Sequence, residues 1–187
     1  SASSEFFQFL KAYPSSPLAA KARLTLGVSE YKRGKYPTAS YHLKRIIASG
    51  ASGADEAQFY LSFTYGKSRN LKGAIASLRK VTTYYPRSPF AEESYYYIGY
   101  YYEINGFAAK AVDEYLALLG KYPESGYADD AIWRVGRYYY NAKYYERAIE
   151  VLSKASDLPS DDFTSYCLFW QAMAAEKLGR TDEAKGS

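Results

Sequence analysis

The sequence predicts an all-α chain, a solenoid in which antiparallel helix pairs stack side by side, and three observations carry that prediction. Small residues recur in pairs 12 positions apart: Gly27 with Ala39, Ser62 with Ala74, Gly99 with Ala111, Gly136 with Ala148 and Ala172 with Ala184. Two helices approach closely only where a side chain is nearly absent, so each pair marks a helix crossing. The alanines of the series lie 35, 37, 37 and 36 residues apart, and a fixed period of that size means a repeat architecture. Prolines keep step: Pro86 and Pro123 stand 12 residues beyond Ala74 and Ala111, and Pro159 stands 11 beyond Ala148. Proline there stops the second helix of one unit and opens the next.

The clearest unit runs from Tyr122 to Leu152, YPESGYADDAIWRVGRYYYNAKYYERAIEVL. Asp129 and Asp130 sit at a helix amino end, where the dipole favours negative charge, and Trp133, Val135, Gly136 and Tyr139 share one face. After a turn around Asn141 to Lys143, the apolar face resumes at Tyr144 and continues through Ala148, Val151 and Leu152. Neither helix can bury its apolar side alone, so the unit needs neighbours. Upstream, Ser4 to Tyr13 reads as the second helix of a repeat, and Ser16-Pro17 caps a helix predicted to run to about Lys32. Gly34 turns the chain into the helix Tyr36 to Ala48. Ser49 to Gly53 replaces the proline turn with a loop expected to act as a hinge. The serine at position 62 and the missing proline at Ala51 predict irregular packing in that repeat.

Helices are then expected from Asp55 to Ser68 and from Leu71 to Tyr84. Ser88-Pro89 caps a helix that carries Tyr95, Tyr96, Tyr97, Tyr100, Tyr101 and Tyr102, and Phe107 to Leu119 returns from it. Ser160 caps a last first-position helix from Asp161 to Leu178, and another helix begins at Asp182. The chain thus starts and ends within repeats, and adjoining domains are expected beyond both ends.

Composition fits a globular chain: 48% hydrophobic and 24% charged residues, with 23 tyrosines as the peculiarity. The single cysteine, Cys167, excludes an internal disulfide and a cysteine-based zinc cluster. No apolar run approaches the roughly 20 residues of a membrane span. The net charge of +4 hides an asymmetry: residues 1–90 carry 14 Lys and Arg against 4 acids, and residues 91–187 carry 10 against 16. A solvated outer face accounts for such runs, and so does steering of an acidic partner to the basic half. Nucleic acid is not the expected partner, because no aromatic side chains interleave with the basic residues on a regular face.

The small-small pairs and the YP-x-S-x-x-A turns, YPSSPLA, YPRSPFA and YPESGYA, resemble the tetratricopeptide-repeat family over almost the whole chain. The resemblance implies a right-handed superhelix occupying residues 1–187: a truncated repeat at 1–13, full repeats at 14–49, 50–85, 86–122 and 123–158, and a truncated one at 159–187. It also implies that the first helix of each pair lines a concave groove. The inward positions are then Phe59, Phe63, Tyr96, Tyr100, Glu103, Trp133, Arg137, Tyr140, Asn141 and Phe169, with Ile104 and Met173 beside them. Aromatic faces with a few polar groups suit a protein, a peptide or a glycan strand. Equally, the tyrosines and Trp133 fill gaps between repeats.

A finer resemblance lies in DDAIWRVGRYYYNAKYYERAIEVL and TSYCLFWQAMAAEKLGRTDEA, within Asp129 to Ala184. These runs look like the helical arm that precedes the catalytic domain of soluble lytic murein transglycosylases, which implies a periplasmic or cell-envelope location and a peptidoglycan-cleaving neighbour. The other envelope reading is an outer-membrane assembly or cell-division adaptor that binds partner proteins. No catalytic role is expected within the chain. Glu124-Ser125 resembles the general-acid motif of those enzymes, but it occupies the same column as the other repeat turns. His42 lacks a metal set or an orienting carboxylate, Cys167 lacks a histidine partner, and no phosphate loop or nucleophile elbow occurs. No cofactor and no metal is expected.

Overall fold

The computed structural model describes residues 2–14, 16, 18–157 and 162–179. Among them all regular structure is helical: α1 (Ala2–Ala12), α2 (Ala19–Lys32), α3 (Tyr36–Ser49), α4 (Ala54–Lys67), α5 (Leu71–Tyr84), α6 (Ala91–Ile104), α7 (Ala108–Lys121), α8 (Ala128–Asn141), α9 (Tyr145–Leu152) and α10 (Asp162–Lys177), with a 3-10 segment at Ser153–Asp157. The fold class is therefore the all-α solenoid of helix pairs. The chain divides into two compact units, residues 1–94 and 95–187, and the division falls inside α6.

In the first unit α1 packs on α2, α2 pairs with α3, α3 packs on α4, and α4 pairs with α5. Its core holds Leu10, Ala19, Ala22 and Leu26 at one end and Leu43, Ile46, Ala57 and Leu61 further along. In the second unit α8 packs on both α7 and α9, and α10 closes over α8 and α9. Tyr115, Leu118, Val135, Leu152 and Cys167 are among its fully buried side chains.

Glycine permits these crossings for a measurable reason. A Cβ added to Gly27 would stand 3.0 Å from Leu43 Cδ2, one at Gly99 would stand 2.6 Å from the Tyr115 ring, and one at Gly136 would press closer still into Leu152. Each partner lies 16 residues after its glycine, one helical turn beyond the alanine that marks the period. The alanines 39, 74, 111 and 148 are themselves buried. The pair α4 and α5 departs from the expected irregularity. Both helices have 14 residues, like α2 and α3. Ser62 is fully buried in the glycine column, and its hydroxyl donates to the Phe59 carbonyl at 2.6 Å. A serine hydroxyl that bonds back to its own helix needs no other partner, so the site tolerates it.

Two turn types alternate. Between pairs, the amide of Ser16, Ser88 or Ser125 donates to the carbonyl of Tyr13, Tyr85 or Tyr122, and the next helix starts three residues on, at Ala19, Ala91 or Ala128. Each serine hydroxyl accepts a further backbone N–H, from Leu18, Phe90 and Tyr127 respectively. Ser16 therefore organises the turn before α2 and does not cap its first residue; Pro17 lies outside the described residues. Within pairs, a left-handed residue reverses the chain: Gly34, Arg69, Gly106 and Lys143, at φ 76°, 57°, 81° and 65°. In each case the following amide donates five residues back, as from Lys35 to Glu30 and from Tyr144 to Tyr139, the bond that satisfies orphan carbonyls at a helix carboxyl end. In the loop expected to be a hinge, Gly50 and Gly53 are left-handed, and Gly53 packs so closely on Leu24 that a Cβ would lie 2.6 Å away. The last first-position helix is described from Asp162 to Lys177, and its expected first residue, Asp161, lies outside the described residues. Ser160 and the helix expected at Asp182 to Ala184 lie outside the described residues.

Candidate binding site

Helices α6 and α8 of the second unit bring together a polar cluster set in aromatic rings. Glu103, near the end of α6, accepts from Arg134 through Oε2 and from Arg137 Nη2 through Oε1 at 3.0 Å, and Tyr115 donates to Oε2 at 3.0 Å. Arg134 extends the network: its Nε donates to Asp130 Oδ2 at 2.8 Å, and the Tyr96 hydroxyl donates to the same oxygen. The spacing explains why. Asp130, Arg134 and Arg137 succeed one another along one face of α8, and residues three or four apart are neighbours on a helix.

Rings enclose the charges. The Arg134 guanidinium lies 5.7 to 6.0 Å from the centroids of Tyr96, Tyr100, Tyr115 and Trp133. Arg137 lies 4.3 Å above Trp133, within the range of a cation–π contact. Tyr96 also stacks on Tyr127 with centroids 4.6 Å apart. Burial raises the hydroxyl pKa of Tyr96, and hydrogen bonding to Asp130 adds to it. Burial likewise raises Tyr115, against the attraction of Arg134. For Arg134 burial works against the charge, but the bond to Asp130 and the surrounding oxygens outweigh it and hold the proton more tightly than usual. The guanidinium is thus a fixed charge. Two polar atoms here, Asp130 Oδ1 and Trp133 Nε1, are buried without a hydrogen-bond partner among the described residues.

Beside the cluster lies a cleft of about 150 Å³, lined by Glu103, Tyr115, Arg134, Arg137, Tyr138 and Asn141 among others. Arg137 is the cluster's accessible charge, with 36% of its side chain exposed against 19% for Arg134 and 23% for Glu103. On α10 the Phe169 ring is 57% exposed. It meets Trp170 edge-on, and Trp170 in turn packs against Tyr140. Among the described residues no group of three or more His, Cys, Asp or Glu side chains stands together to hold a metal.

Family models for the tetratricopeptide repeat match residues 64–126 and residues 166–187. These two segments of the chain are thus similar to the tetratricopeptide repeat. Solved structures with the same fold include MamA protein, with a TM-score of 0.65 and 20% identity over 91% of this chain and 88% of that one. A tetratricopeptide repeat protein from Parabacteroides merdae has a TM-score of 0.66 and 16% identity over 98% of this chain and 68% of that one. A thermophilic tetratricopeptide protein from Thermus thermophilus has a TM-score of 0.51 and 20% identity over 89% and 86%. No curated protein matches the sequence significantly. The likeness is one of fold.

Of the residues expected to point into a tetratricopeptide groove, Tyr96, Tyr100, Glu103, Trp133 and Arg137 do come together, and Asn141 borders their cleft. Tyr140 serves instead as packing between Tyr145 and Trp170. In the first unit, Phe59 is a correction: only 4% exposed, it is wedged among Tyr60, Phe63 and Phe90 and has no face for a ligand. Phe63 is half-buried against Phe59 and Tyr31. Groove positions are defined by register alone, and register does not say whether a neighbouring ring covers the site. Asp130, Arg134 and Tyr115 were missed. The signal was present in the Asp130/Arg134 spacing of four residues, an ion-pair spacing on a helix.

Proposed function

We propose that this chain is a non-catalytic interaction module that binds a protein or peptide segment at the Trp133–Arg137–Glu103 face of its second unit. The observation that carries this reading is a charge pre-set on a ring: Arg137 lies over Trp133 while its guanidinium is steadied by Glu103. Arginine and tryptophan held in this way lose little side-chain entropy on binding and are enriched at the centres of interfaces. The accessible part of Arg137 and the neighbouring cleft leave room for a carboxylate or carbonyl of the partner.

The narrower reading is the non-catalytic arm of a periplasmic lytic transglycosylase-like protein, positioning a peptidoglycan-cleaving domain. It is favoured by the run DDAIWRVGRYYYN, which supplies Asp130, Trp133, Arg134 and Arg137 together. The alternative is an outer-membrane assembly or cell-division adaptor, favoured by the YP-x-S-x-x-A turns. One measurement tests the site and a second separates these readings. Peptides selected on the full chain from a random library should lose affinity at least tenfold in Arg137→Ala and in Trp133→Ala, each with wild-type helicity; unchanged affinity in both variants rejects the site. Co-sedimentation with purified peptidoglycan sacculi that Arg137→Ala abolishes favours the arm, and absence of co-sedimentation favours the adaptor.

A further inference from the structure

The first unit holds a second pocket lined by a buried glutamine and two cations. Its volume is about 310 Å³, and it is walled by α3, α4 and α5. The floor consists of buried Gln58, Leu61 and Ser77, the sides of half-buried Ile47 and Tyr65, and the rim of exposed Lys44 and Lys80. Gln58 is only 3% exposed, and its side-chain oxygen Oε1 is buried with no hydrogen-bond partner among the described residues. Leaving such an acceptor unmade is costly, so a group that donates to it gains more than an exposed hydrogen bond does. Lys44 lies 5.4 Å above the Tyr65 ring, which steadies its stem at the rim.

Gln58 lies four residues before the small anchor Ser62, whereas the groove register starts three before it at Phe59. This pocket is therefore not part of the tetratricopeptide groove. Its chemistry is mixed: one acceptor on the floor, apolar walls, and positive charge above. We infer that it binds an acidic peptide segment, with a backbone N–H donated to Gln58 Oε1, an apolar side chain against Ile47, Leu61 and Tyr65, and an Asp or Glu carboxylate between Lys44 and Lys80. A fully deprotonated anion satisfies the lysines but brings no donor for Gln58. The wider charge agrees, since residues 1–90 carry 14 basic side chains against 4 acidic ones, a field that draws acidic chains to this unit. The proposal stands on first-unit residues alone and does not depend on the Trp133–Arg137 face.

The test uses the full chain and a fluorescein-labelled pool of acetylated, amidated octapeptides, each with two Glu among apolar residues, titrated by anisotropy. The acidic pool is expected to bind at least tenfold more tightly than the same pool with Gln for Glu. Lys44→Glu/Lys80→Glu should remove that preference and Gln58→Leu should weaken binding about fivefold or more, and both effects should persist when the variants are made in an Arg137→Ala background. If Gln58→Leu does not fold, Lys80→Glu alone carries the comparison. Equal binding of the two pools overturns the proposal, as does loss only in Arg137→Ala. Inorganic phosphate or duplex DNA competing as well as the acidic pool, with no effect of Gln58→Leu, also overturns it, because then the lysines act as a plain anion site.

Discussion

His42 shows how a single buried side chain ties stability to pH. The residue is 5% exposed and its Nδ1 has no hydrogen-bond partner among the described residues. Burial lowers its pKa from 6.5, Arg23 lowers it further, Glu30 opposes, and Arg45 adds to the lowering. On acidification the unfolded chain takes up this proton near its ordinary pKa while the folded chain refuses it, so stability falls as pH drops below about 6.5 and is fully present above. The urea midpoint of the wild type should decline over that window, and the decline should be smaller in His42→Gln. A second residue-scale prediction concerns Lys143 and Arg69, which hold left-handed φ values of 65° and 57° where the equivalent turns use Gly106 and Gly34. A non-glycine residue there costs roughly 1–3 kcal/mol, partly offset in the variant by the greater freedom of unfolded glycine. Lys143→Gly should therefore raise stability by about 0.5–1 kcal/mol, read as an upward shift in Tm.

At the scale of the element, the helix pairs owe their closeness to one column of small residues, and Gly120, outside that column, behaves oppositely. Gly136 faces fully buried Leu152, into which a Cβ would press, whereas a Cβ at Gly120, in α7, would meet nothing within 4 Å. Gly136→Ala should thus destabilise by roughly 1–3 kcal/mol through overpacking. Gly120→Ala should stabilise by about 0.5–1 kcal/mol, since alanine loses less freedom than glycine in a helix. Chemical denaturation of the two variants side by side checks both signs. The period of the small residues was enough to place the pairs, but the actual contact is with the side chain one turn beyond the alanine. Sequence spacing locates the crossing; side-chain direction along the helix decides which atoms meet there.

At the scale of the molecule, stacked repeats contact mainly their neighbours, so damage to one pair is expected to stay local. Leu43 is fully buried against Gly27 in the first unit, and Leu43→Ala should cost roughly 2–5 kcal/mol. Amide exchange should then accelerate in α2 and α3 while α8 and α9 keep their protection; uniform acceleration through both units would instead show one cooperative fold. The charge asymmetry also belongs to this scale, since it was readable as a count but acquired a place only when Lys44 and Lys80 came to line one pocket with Gln58.

What the sequence by itself determined is the succession of helices, their turns and the fold class, because these follow from periodic apolar faces, small residues and turn chemistry, all of which are local along the chain. It also placed Tyr96, Tyr100, Glu103, Trp133 and Arg137 in a common register. Only the tertiary structure decided which of the register positions are open. Phe59 is sealed by Phe90, 31 residues away, and Arg134 is joined to Glu103 over the same separation. Burial and partnership are properties of side chains brought together from different helices, and no one-dimensional pattern contains the distance between them.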